Sequence, residues 1–277
     1  MDNWATTVER PSFILALGDN FYPCGPLTIH EDKFKTNWID VYLHYETLRV
    51  PWKVILGNHD YIGNPDCQIA YTKAPQNPQG LWQMPDRNYT FQYPLPNNKV
   101  VEFFGLDTNG AQGHVRTRHP QMRNKMFEHK EWLATQLQNS NAHWKIVFAH
   151  HPLYTKGQNH GTIGDCLREP EYTHKNGTSV GYGLEKTLLD GQVDAYFSGH
   201  EHVFQHHKAH GIYHFVCGAC SGDRRFYGGM NKSREIDWYD CARAGFVVVK
   251  VMEGSMEVKY VDFEGNVFET VQINKNS

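Results

Sequence analysis

The sequence predicts an α/β layered fold, because short apolar segments alternate along the chain with segments of helical periodicity. The apolar segments are five to seven residues long and rich in β-branched and aromatic residues, which is typical of buried strands. The chain has 277 residues, 40% of them hydrophobic, which is enough for one large core. A formal net charge of −3 argues against nucleic-acid binding, and no apolar segment reaches the ~18 residues of a membrane helix.

Seven segments are predicted to be buried strands, and two more are predicted to form a C-terminal hairpin. The seven are Phe13–Leu17, Trp52–Leu56, Val100–Leu106, Lys145–Ala149, Val193–Phe197, Ile212–Val216 and Phe246–Val251. The hairpin would pair Met256–Asp262 with Asn266–Ile273 across a turn at Glu264-Gly265.

Two helices are predicted between these strands. The first begins at Phe34 and ends before Pro51, because its apolar residues follow one helical face. These residues are Phe34, Trp38, Val41, Tyr42, Tyr45 and Leu48. The second runs from about Pro120 to Asn139, and its inward residues are Met122, Met126, Leu133 and Leu137.

Four of the predicted strands end in residues that bind metals. The motifs that follow them are Gly18-Asp19-Asn20-Phe21-Tyr22, Gly57-Asn58-His59-Asp60, His150-His151-Pro152 and Gly199-His200-Glu201-His202. In open α/β sheets, ligand sites lie beyond the carboxyl ends of the strands. The four loops could therefore converge on one metal site.

Each motif alone also has a structural interpretation. Asp19 could cap a turn, and the strand alternation would send only one of His150 and His151 inward. His200 and His202, two positions apart in an extended segment, could be solvated or could point together at one site. Four such motifs, each at a strand end, favour the metal site over four independent coincidences.

The remaining histidines and the cysteines have less specific patterns. The chain contains 17 histidines, and His206, His207, His210 and His214 alternate with other residues as exposed strand positions would. The only Cys-x-x-Cys motif has no second pair, so structural zinc is disfavoured against disulfides. The six cysteines are Cys24, Cys67, Cys166, Cys217, Cys220 and Cys241. Glycosylation sequons begin at Asn88, Asn176 and Asn231 and weakly favour a secretory protein.

In combination, the four motifs resemble those of the calcineurin-like metallophosphoesterases. Tyr22, three residues after Asp19, narrows the resemblance to the purple acid phosphatases, and the longer segments Leu17–Tyr22 and Gly57–Asn64 resemble the tartrate-resistant type. The resemblance extends from about Arg10 to the C-terminal hairpin and implies a four-layer α-β-β-α sandwich of two mixed sheets flanked by helices.

The resemblance also implies a dinuclear metal centre and assigns its ligands. Asp19 would bridge the two ions, and Tyr22 and His202 would bind Fe(III). The set that would hold the divalent ion, Fe(II) or Zn(II), is Asn58, His150 and His200. A hard phenolate and carboxylate suit a trivalent iron, while imidazole and amide oxygen suit a softer divalent ion.

Two further histidines would act on the substrate. By the resemblance, His59 would contact the phosphate, and His160 would be a general acid near the leaving group. The implied reaction is phosphomonoester hydrolysis by metal-bound hydroxide, on a small phosphate ester or a phosphoprotein. We expect a monomer that binds neither nucleic acid nor membrane. The alternatives are a nucleotidase or phosphodiesterase, or an inactive metal-binding relative.

The sequence departs from the family pattern at two places. The family has an Asp-x-Gly motif at the end of an earlier strand, whereas Asp2–Arg10 has no apolar strand and resembles the tail of a helix. We therefore expect a single domain over residues 1–277 that lacks its first strand through N-terminal truncation, with a secreted, lysosomal or vacuolar full-length form. Ser198 replaces a family cysteine, which leaves Cys166 without its usual partner.

Overall fold

The computed structural model describes residues 1–157, 161–173, 177, 179–220 and 234–275. Its α-helices are α1 (Asp2–Thr7), α2 (Pro65–Tyr71), α3 (Gly113–Arg118), α4 (Met122–Asn139), α5 (Gly161–Arg168) and α6 (Leu184–Asp190). Its strands are β1 (Ile14–Ala16), β2 (Trp52–Val54), β3 (Trp82–Gln83), β4 (Tyr89–Pro94), β5 (Val100–Leu106), β6 (Trp144–Ala149), β7 (Ala195–Ser198), β8 (Phe204–Ala209), β9 (Ile212–Cys217), β10 (Trp238–Asp240), β11 (Gly245–Val251), β12 (Ser255–Asp262) and β13 (Val267–Asn274). Among these residues, none of the helices combines the length and apolarity that a bilayer crossing requires.

A seven-stranded mixed sheet forms the first β layer. Its strand order is β10-β8-β9-β7-β6-β5-β4, and its inner strands β5, β6, β7 and β9 are parallel. All four residues of β7 and five of the six in β6 are buried. Strands covered on both faces need continuous apolar sequence, which explains why these segments were recognisable as apolar runs.

Two smaller sheets form the second β layer. Strands β1, β2 and β3 make a parallel sheet, and β11, β12 and β13 make an antiparallel one. Val54 of β2 and Tyr260 of β12 share one core cluster with Phe103 and Ile146 of the large sheet. Both small sheets therefore face the same side of the large sheet. In the described part of the chain, β1 and β11 are the adjoining edges of the two small sheets and are not paired.

Helices cover the outer face of the large sheet. Leu133 of α4 and Leu188 of α6 pack in a second core cluster with Val147 of β6. The predicted α/β sandwich is confirmed. Its second β layer is divided between β1 and β11.

The second predicted helix is confirmed in position and orientation. Helix α4 ends at Asn139 as expected, and it begins at Met122, two residues after Pro120. Each side chain predicted to point inward is buried: Met122, Met126, Leu133 and Leu137. A single apolar face along five turns is a strong signal, because it must pack against one neighbouring layer.

The first predicted helix is only partly right. A π-helix spans Lys35–Leu43 and a 3₁₀ turn spans Glu46–Leu48. The wider π turn rotates the later side chains away from the ideal face, so Val41 and Tyr45 are exposed.

An aromatic cluster anchors this region of the chain. The Trp38 ring centroid lies 5.2 Å from that of Trp82 and 6.1 Å from that of Trp52. Phe34 stacks on Tyr71 with 3.7 Å between centroids. These contacts attach the π-helix and α2 to strands β2 and β3.

Two predictions about side chains outside the motifs need correction. His214 on β9 is buried rather than exposed, because β9 lies between β7 and β8 in the large sheet. The disulfides do not appear: the six cysteines all fall within the described residues and are free thiols.

Candidate metal centre

The four motif loops converge at one place between the two β layers. Asp19 and Asn58 follow β1 and β2 of the small parallel sheet, and His150 and His200 follow β6 and β7 of the large sheet. The carboxyl ends of all four strands point to this place, as the sequence predicted.

His150 is at the centre of a buried group of three side chains. Its Nε2 lies 3.1 Å from Asn58 Oδ1 and 3.1 Å from His200 Nδ1. The exposed fractions are 6% for Asn58, 1% for His150 and 7% for His200. The structure therefore brings together the three residues predicted to hold a divalent ion.

A second group, nearer the surface, contains Asp19, Tyr22 and His202. The Tyr22 hydroxyl donates to Asp19 Oδ2 at 2.9 Å and lies 3.1 Å from His202 Nε2. Asp19 Oδ2 is also 3.4 Å from His150 Nε2. One carboxylate oxygen thus contacts both groups.

Unusual backbone conformations aim these ligand types inward. Asp19 and His200 have φ values of 53° and 65°, in the left-handed region that non-glycine residues seldom occupy. A Cβ at Gly57 would lie 2.1 Å from the backbone nitrogen of Asp19. Only glycine at position 57 allows the first two loops to approach so closely.

Backbone carbonyls orient two of the rings. His150 Nδ1 lies 2.8 Å from the carbonyl of Leu17, and His59 Nδ1 lies 2.8 Å from that of Pro23. A carbonyl can only accept, so each Nδ1 carries a proton, and in the neutral ring Nε2 presents the lone pair. For His150 that lone pair faces the site.

Asp60 links the loop after β1 to the loop after β2. Its fully buried carboxylate accepts hydrogen bonds from the amides of Gly57 and Asn20 at 2.8 and 3.2 Å and from Gln68 Nε2 at 2.9 Å. Burial, with the nearby charge of Asp19, raises its pKa to about 6. The sequence motif contained Asp60 but did not indicate this supporting role.

Asp19 and His150 form an ion pair when the His150 ring is also protonated at Nε2. Burial by itself would raise the pKa of Asp19, but the charge of His150 and the His59 amide, which donates to Oδ1 at 2.8 Å, bring it below its usual value. Burial by itself would lower the pKa of His150, and Asp19 raises it above the usual value. The carboxylate is therefore held in the ionised form that a metal ligand requires.

His151 also belongs to the cluster, although no role was assigned to it. Its ring centroid is 4.5 Å from that of His200, and ring nitrogens of His150, His151 and His200 lie within 4.8 Å of one another. Its Nδ1 is 2.8 Å from Thr108 Oγ1. The alternation argument was wrong here because β6 ends at Ala149, before the His-His pair.

His114 is a second residue that the motifs missed. It lies at the start of α3, and it hydrogen-bonds to the backbone of Asn58. Burial lowers its pKa, and His59 and Asp19 are close enough to influence it. The motifs were found because each follows a predicted strand, whereas His114 lies in a polar segment that follows no strand directly, so the sequence did not mark it as a site residue. His160, the predicted general acid, lies outside the described residues.

The donor set fits a pair of metal ions. It combines one carboxylate, one phenol, one amide oxygen and three imidazoles within hydrogen-bonding distance of their neighbours. Oxygen ligands on the Tyr22 side suit a hard trivalent ion, and the nitrogen-rich side suits a softer divalent ion. Because the His150 group is buried, its surroundings have a low dielectric constant, which strengthens the attraction between a metal ion and the Asp19 carboxylate.

Comparisons with known proteins show which proteins this chain is similar to. The human "Tartrate-resistant acid phosphatase type 5" is 28% identical over 281 residues, covering 93% of this chain and 78% of that protein. "Purple acid phosphatase 7" of Arabidopsis thaliana is 27% identical, covering 96% of this chain and 76% of that protein. A solved structure titled "GAP50 the anchor in the inner membrane complex of Plasmodium" has a TM-score of 0.77 at 21% identity, covering 100% of this chain and 82% of that one.

The family assignment follows from a match over most of the chain. The model of the family described as "Calcineurin-like phosphoesterase" matches residues 3–204, a region that contains all four motifs. Together with the relatives, this match confirms the predicted resemblance to the purple and tartrate-resistant acid phosphatases and an enzyme of the metallophosphoesterase class. The chain belongs to the calcineurin-like phosphoesterase family.

Proposed function

We propose that this chain is an acid phosphatase that hydrolyses phosphomonoesters at a dinuclear metal centre. The observation that carries the proposal is the position of Asp19. Its Oδ2 contacts the Tyr22 hydroxyl on one side at 2.9 Å and His150 Nε2 on the other at 3.4 Å. A single carboxylate between two sets of ligands is the arrangement that a bridged pair of ions needs.

The two ligand groups would hold different ions. Tyr22 and His202 would bind Fe(III), and the group that would bind Fe(II) or Zn(II) is Asn58, His150 and His200. When bound, the two ions supply the positive charge that activates a water nucleophile and neutralises the phosphoryl oxygens.

The chain's own residues would position the substrate. His59 lies beside Tyr22, with 4.4 Å between ring centroids, and its Nδ1 is held by the Pro23 carbonyl. Its Nε2 is then available to bind a phosphate oxygen once the ring is protonated. His160 remains the predicted proton donor to the leaving group.

Substrate and location are part of the same proposal. A small phosphate ester or a phosphoprotein side chain would fit the open side of the centre, where Tyr22 is 41% exposed. We propose a monomer, and a secreted, lysosomal or vacuolar location for the full-length protein. The three sequons are consistent with that location.

Metal analysis combined with a phosphatase assay tests the proposal. We expect two metal ions per chain, a purple colour and hydrolysis of 4-nitrophenyl phosphate. Asp19→Asn should lower both metal content and turnover, by more than the ~10–100-fold that loss of a ligand's hydrogen-bonding partner costs. Asp190→Asn, at a surface ion pair with Lys186, should change neither. One ion per chain with no hydrolysis would contradict the proposal.

A metal-binding protein without turnover is the second candidate. The Tyr22 side of the centre is more open than the His150 side, because Tyr22 is 41% exposed and His150 is 1% exposed. A mononuclear ion on Asn58, His150 and His200 could then bind without catalysis.

A phosphodiesterase is the third candidate. An assay with bis(4-nitrophenyl) phosphate tests it, because turnover of this diester in preference to the monoester would indicate a phosphodiesterase.

A further inference from the structure

A third imidazole packs against the two that would hold the divalent ion. The ring centroid of His151 lies 4.8 Å from that of His150 and 4.5 Å from that of His200. The centroids of His150 and His200 are 4.9 Å apart. His151 is fully buried. The three rings therefore form a closed triangle inside the protein, with His151 at its third corner.

The backbone of His151 is fixed by two neighbouring strands. Its carbonyl accepts a hydrogen bond from the hydroxyl of Tyr196, on β7, at 2.8 Å. Its amide donates at 3.3 Å to Oγ1 of Thr108, a buried residue two positions beyond the end of β5. These two contacts hold the His151 ring beside the motif histidines.

Thr108 also selects the ring nitrogen of His151 that can bind a metal. Its Oγ1 lies 2.8 Å from His151 Nδ1. A hydroxyl oxygen has two lone pairs, so Oγ1 can accept from the amide and from a protonated Nδ1 together. In the neutral ring, Nε2 then presents the lone pair. His150 is anchored in the same way, with Nδ1 against the Leu17 carbonyl. A neighbouring oxygen on the other ring nitrogen is the usual support of a metal-binding histidine.

The spacing of the cluster suits a single ion. His150 Nε2 lies 3.1 Å from both Asn58 Oδ1 and His200 Nδ1. A ring nitrogen of His151 lies within 4.8 Å of ring nitrogens of both other histidines. Ligand atoms bound to an ion at about 2.0–2.1 Å lie about 3.4 Å apart at a tetrahedral angle and about 4.2 Å apart across the ion. A movement of about 1.4 Å or less brings the His151 nitrogen to the tetrahedral spacing.

A third imidazole changes the ion that the site prefers. Without His151, the ligands of the divalent ion would be two imidazoles, one amide oxygen and the carboxylate of Asp19. With it, nitrogen ligands outnumber oxygen ligands. Imidazole suits zinc, whereas manganese prefers carboxylate, carbonyl and water oxygens and binds more weakly to a given set of ligands.

We propose that His151 is a metal ligand that makes the divalent site selective for Zn(II) over Mn(II). Its Nε2 binds the same ion as Asn58, His150 and His200. Thr108 is the positioning residue that anchors the ring. The inference rests on the dinuclear centre of the proposed function and deepens it, because it names the divalent ion that the site prefers.

Metal titration of the full chain tests the proposal. Zn(II) and Mn(II) are added separately to the metal-free protein, and each dissociation constant is measured by calorimetry. His151→Phe, which keeps a ring of similar size, should weaken zinc binding by at least about 100-fold, since loss of a supporting residue alone costs ~10–100-fold. Manganese binding should weaken by less than about tenfold, because Mn(II) gains less from imidazole.

Variants of Thr108 test the anchoring hydrogen bond without altering the ring. Thr108→Val keeps the shape of the side chain but removes the hydroxyl, so zinc affinity should fall about 10–100-fold. Thr108→Ser keeps the hydroxyl and should retain most of the affinity. His129→Phe is the matched control, because His129 is also buried but its Nδ1 contacts the Asp107 carbonyl, and zinc affinity should not change. Thermal unfolding of each metal-free variant checks that it folds.

X-ray absorption at the zinc edge counts the ligands directly. With one equivalent of zinc per chain, the wild type should show three imidazoles on the ion, and His151→Phe should show two. Two imidazoles in the wild type would overturn the proposal, as would zinc and manganese affinities that fall by the same factor in His151→Phe. In either case His151 would act only in packing. A wild type that binds no zinc at all would contradict the dinuclear centre itself, and this inference with it.

Discussion

Asp19 Oδ2 accepts a hydrogen bond from the Tyr22 hydroxyl, and Oδ1 accepts one from the amide of His59. These two hydrogen bonds fix the orientation of the carboxylate. Tyr22 in turn lies within 3.1 Å of His202 Nε2. At the scale of single residues, each ligand type is therefore held by a neighbour before any ion binds. The residues that provide this support were harder to predict than the ligands, because support comes from backbone groups and from residues such as Asp60 that share a motif with a ligand.

Removal of the Tyr22 phenol should separate colour from metal binding. Tyr22→Phe is expected to abolish the purple absorption while the divalent ion remains on the buried group, because only the phenolate oxygen is lost. The measurement is the visible spectrum together with metal content. Tyr45→Phe, at a 40%-exposed tyrosine, is the control and should retain the colour. A purple Tyr22→Phe variant would show that another residue binds the ferric ion.

Acid should destabilise the chain through His214. Burial, with the charges of His207 and Arg168, lowers the pKa of His214 to about 3. Below pH ~6.5 the unfolded state binds a proton that the folded state does not, so stability falls as the pH drops from there towards 3. The expected loss is about 1.4 kcal/mol per pH unit in this range.

His214→Leu measures that contribution. Because it removes the titrating group and a buried Nδ1 without a partner among the described residues, the free energy of unfolding should fall less between pH 7 and pH 5 than in the wild type. Denaturant unfolding at several pH values is the measurement. His30→Leu, at an exposed histidine, should keep the wild-type dependence. Parallel pH curves for His214→Leu and wild type would refute the assignment.

At the scale of elements, the strands carried most of the predictive information. Val100–Leu106 matches β5 at both ends, and the run Lys145–Ala149 differs from β6 by one residue, because strands buried on both faces are continuous apolar runs. The region after Phe34 was less predictable, because its apolar spacing fitted an α-helix and did not indicate the wider π turn. His150 and His151 are both buried, although alternation along a strand would send only one of them inward, because β6 ends at Ala149, before the pair.

The close approach of the first two loops should be sensitive to one methyl group. Gly57→Ala would place a Cβ 2.1 Å from Asp19 N and 2.2 Å from Oδ1, so the loops must separate. We expect a loss of about 1–3 kcal/mol in unfolding free energy, together with loss of metal. Gly113→Ala, where a Cβ meets nothing within 4 Å, is the control. Wild-type stability and metal content in Gly57→Ala would mean that the loops are not packed as described.

At the scale of the whole molecule, the metal centre joins the two β layers. Asp19 and Asn58 come from the small parallel sheet, and His150 and His200 from the large sheet. The sequence located all four strand ends, yet it could not show how far apart β1 and β11 lie. That separation depends on which edges find partners, and pairing is a property of the complete fold.

Chelation should therefore lower the stability of the entire chain. Ions bound at a thousandfold excess over Kd contribute about 4 kcal/mol, equivalent to a decrease of roughly 10 °C in melting temperature when they are removed. Calorimetry with and without a chelator measures the change. Asp19→Asn should respond much less, because it binds fewer ions at the start. Equal melting temperatures for the wild type in both conditions would argue against ions that bridge the layers.

The cluster of Trp38, Trp52 and Trp82 gives the molecule an internal optical probe. These are three of its seven tryptophans. The Trp38 ring centroid lies 5.2 Å from that of Trp82 and 6.1 Å from that of Trp52. Indoles this close exchange excitation energy, so emission from the cluster changes when its packing loosens. Because Trp52 begins the strand that leads to Asn58, fluorescence reports on the half of the protein that supplies the first two motif loops. The C-terminal hairpin, β12 and β13, contains no tryptophan, but its Tyr260 and Phe268 pack against Trp238, so its unfolding would change the emission of Trp238 rather than that of the cluster.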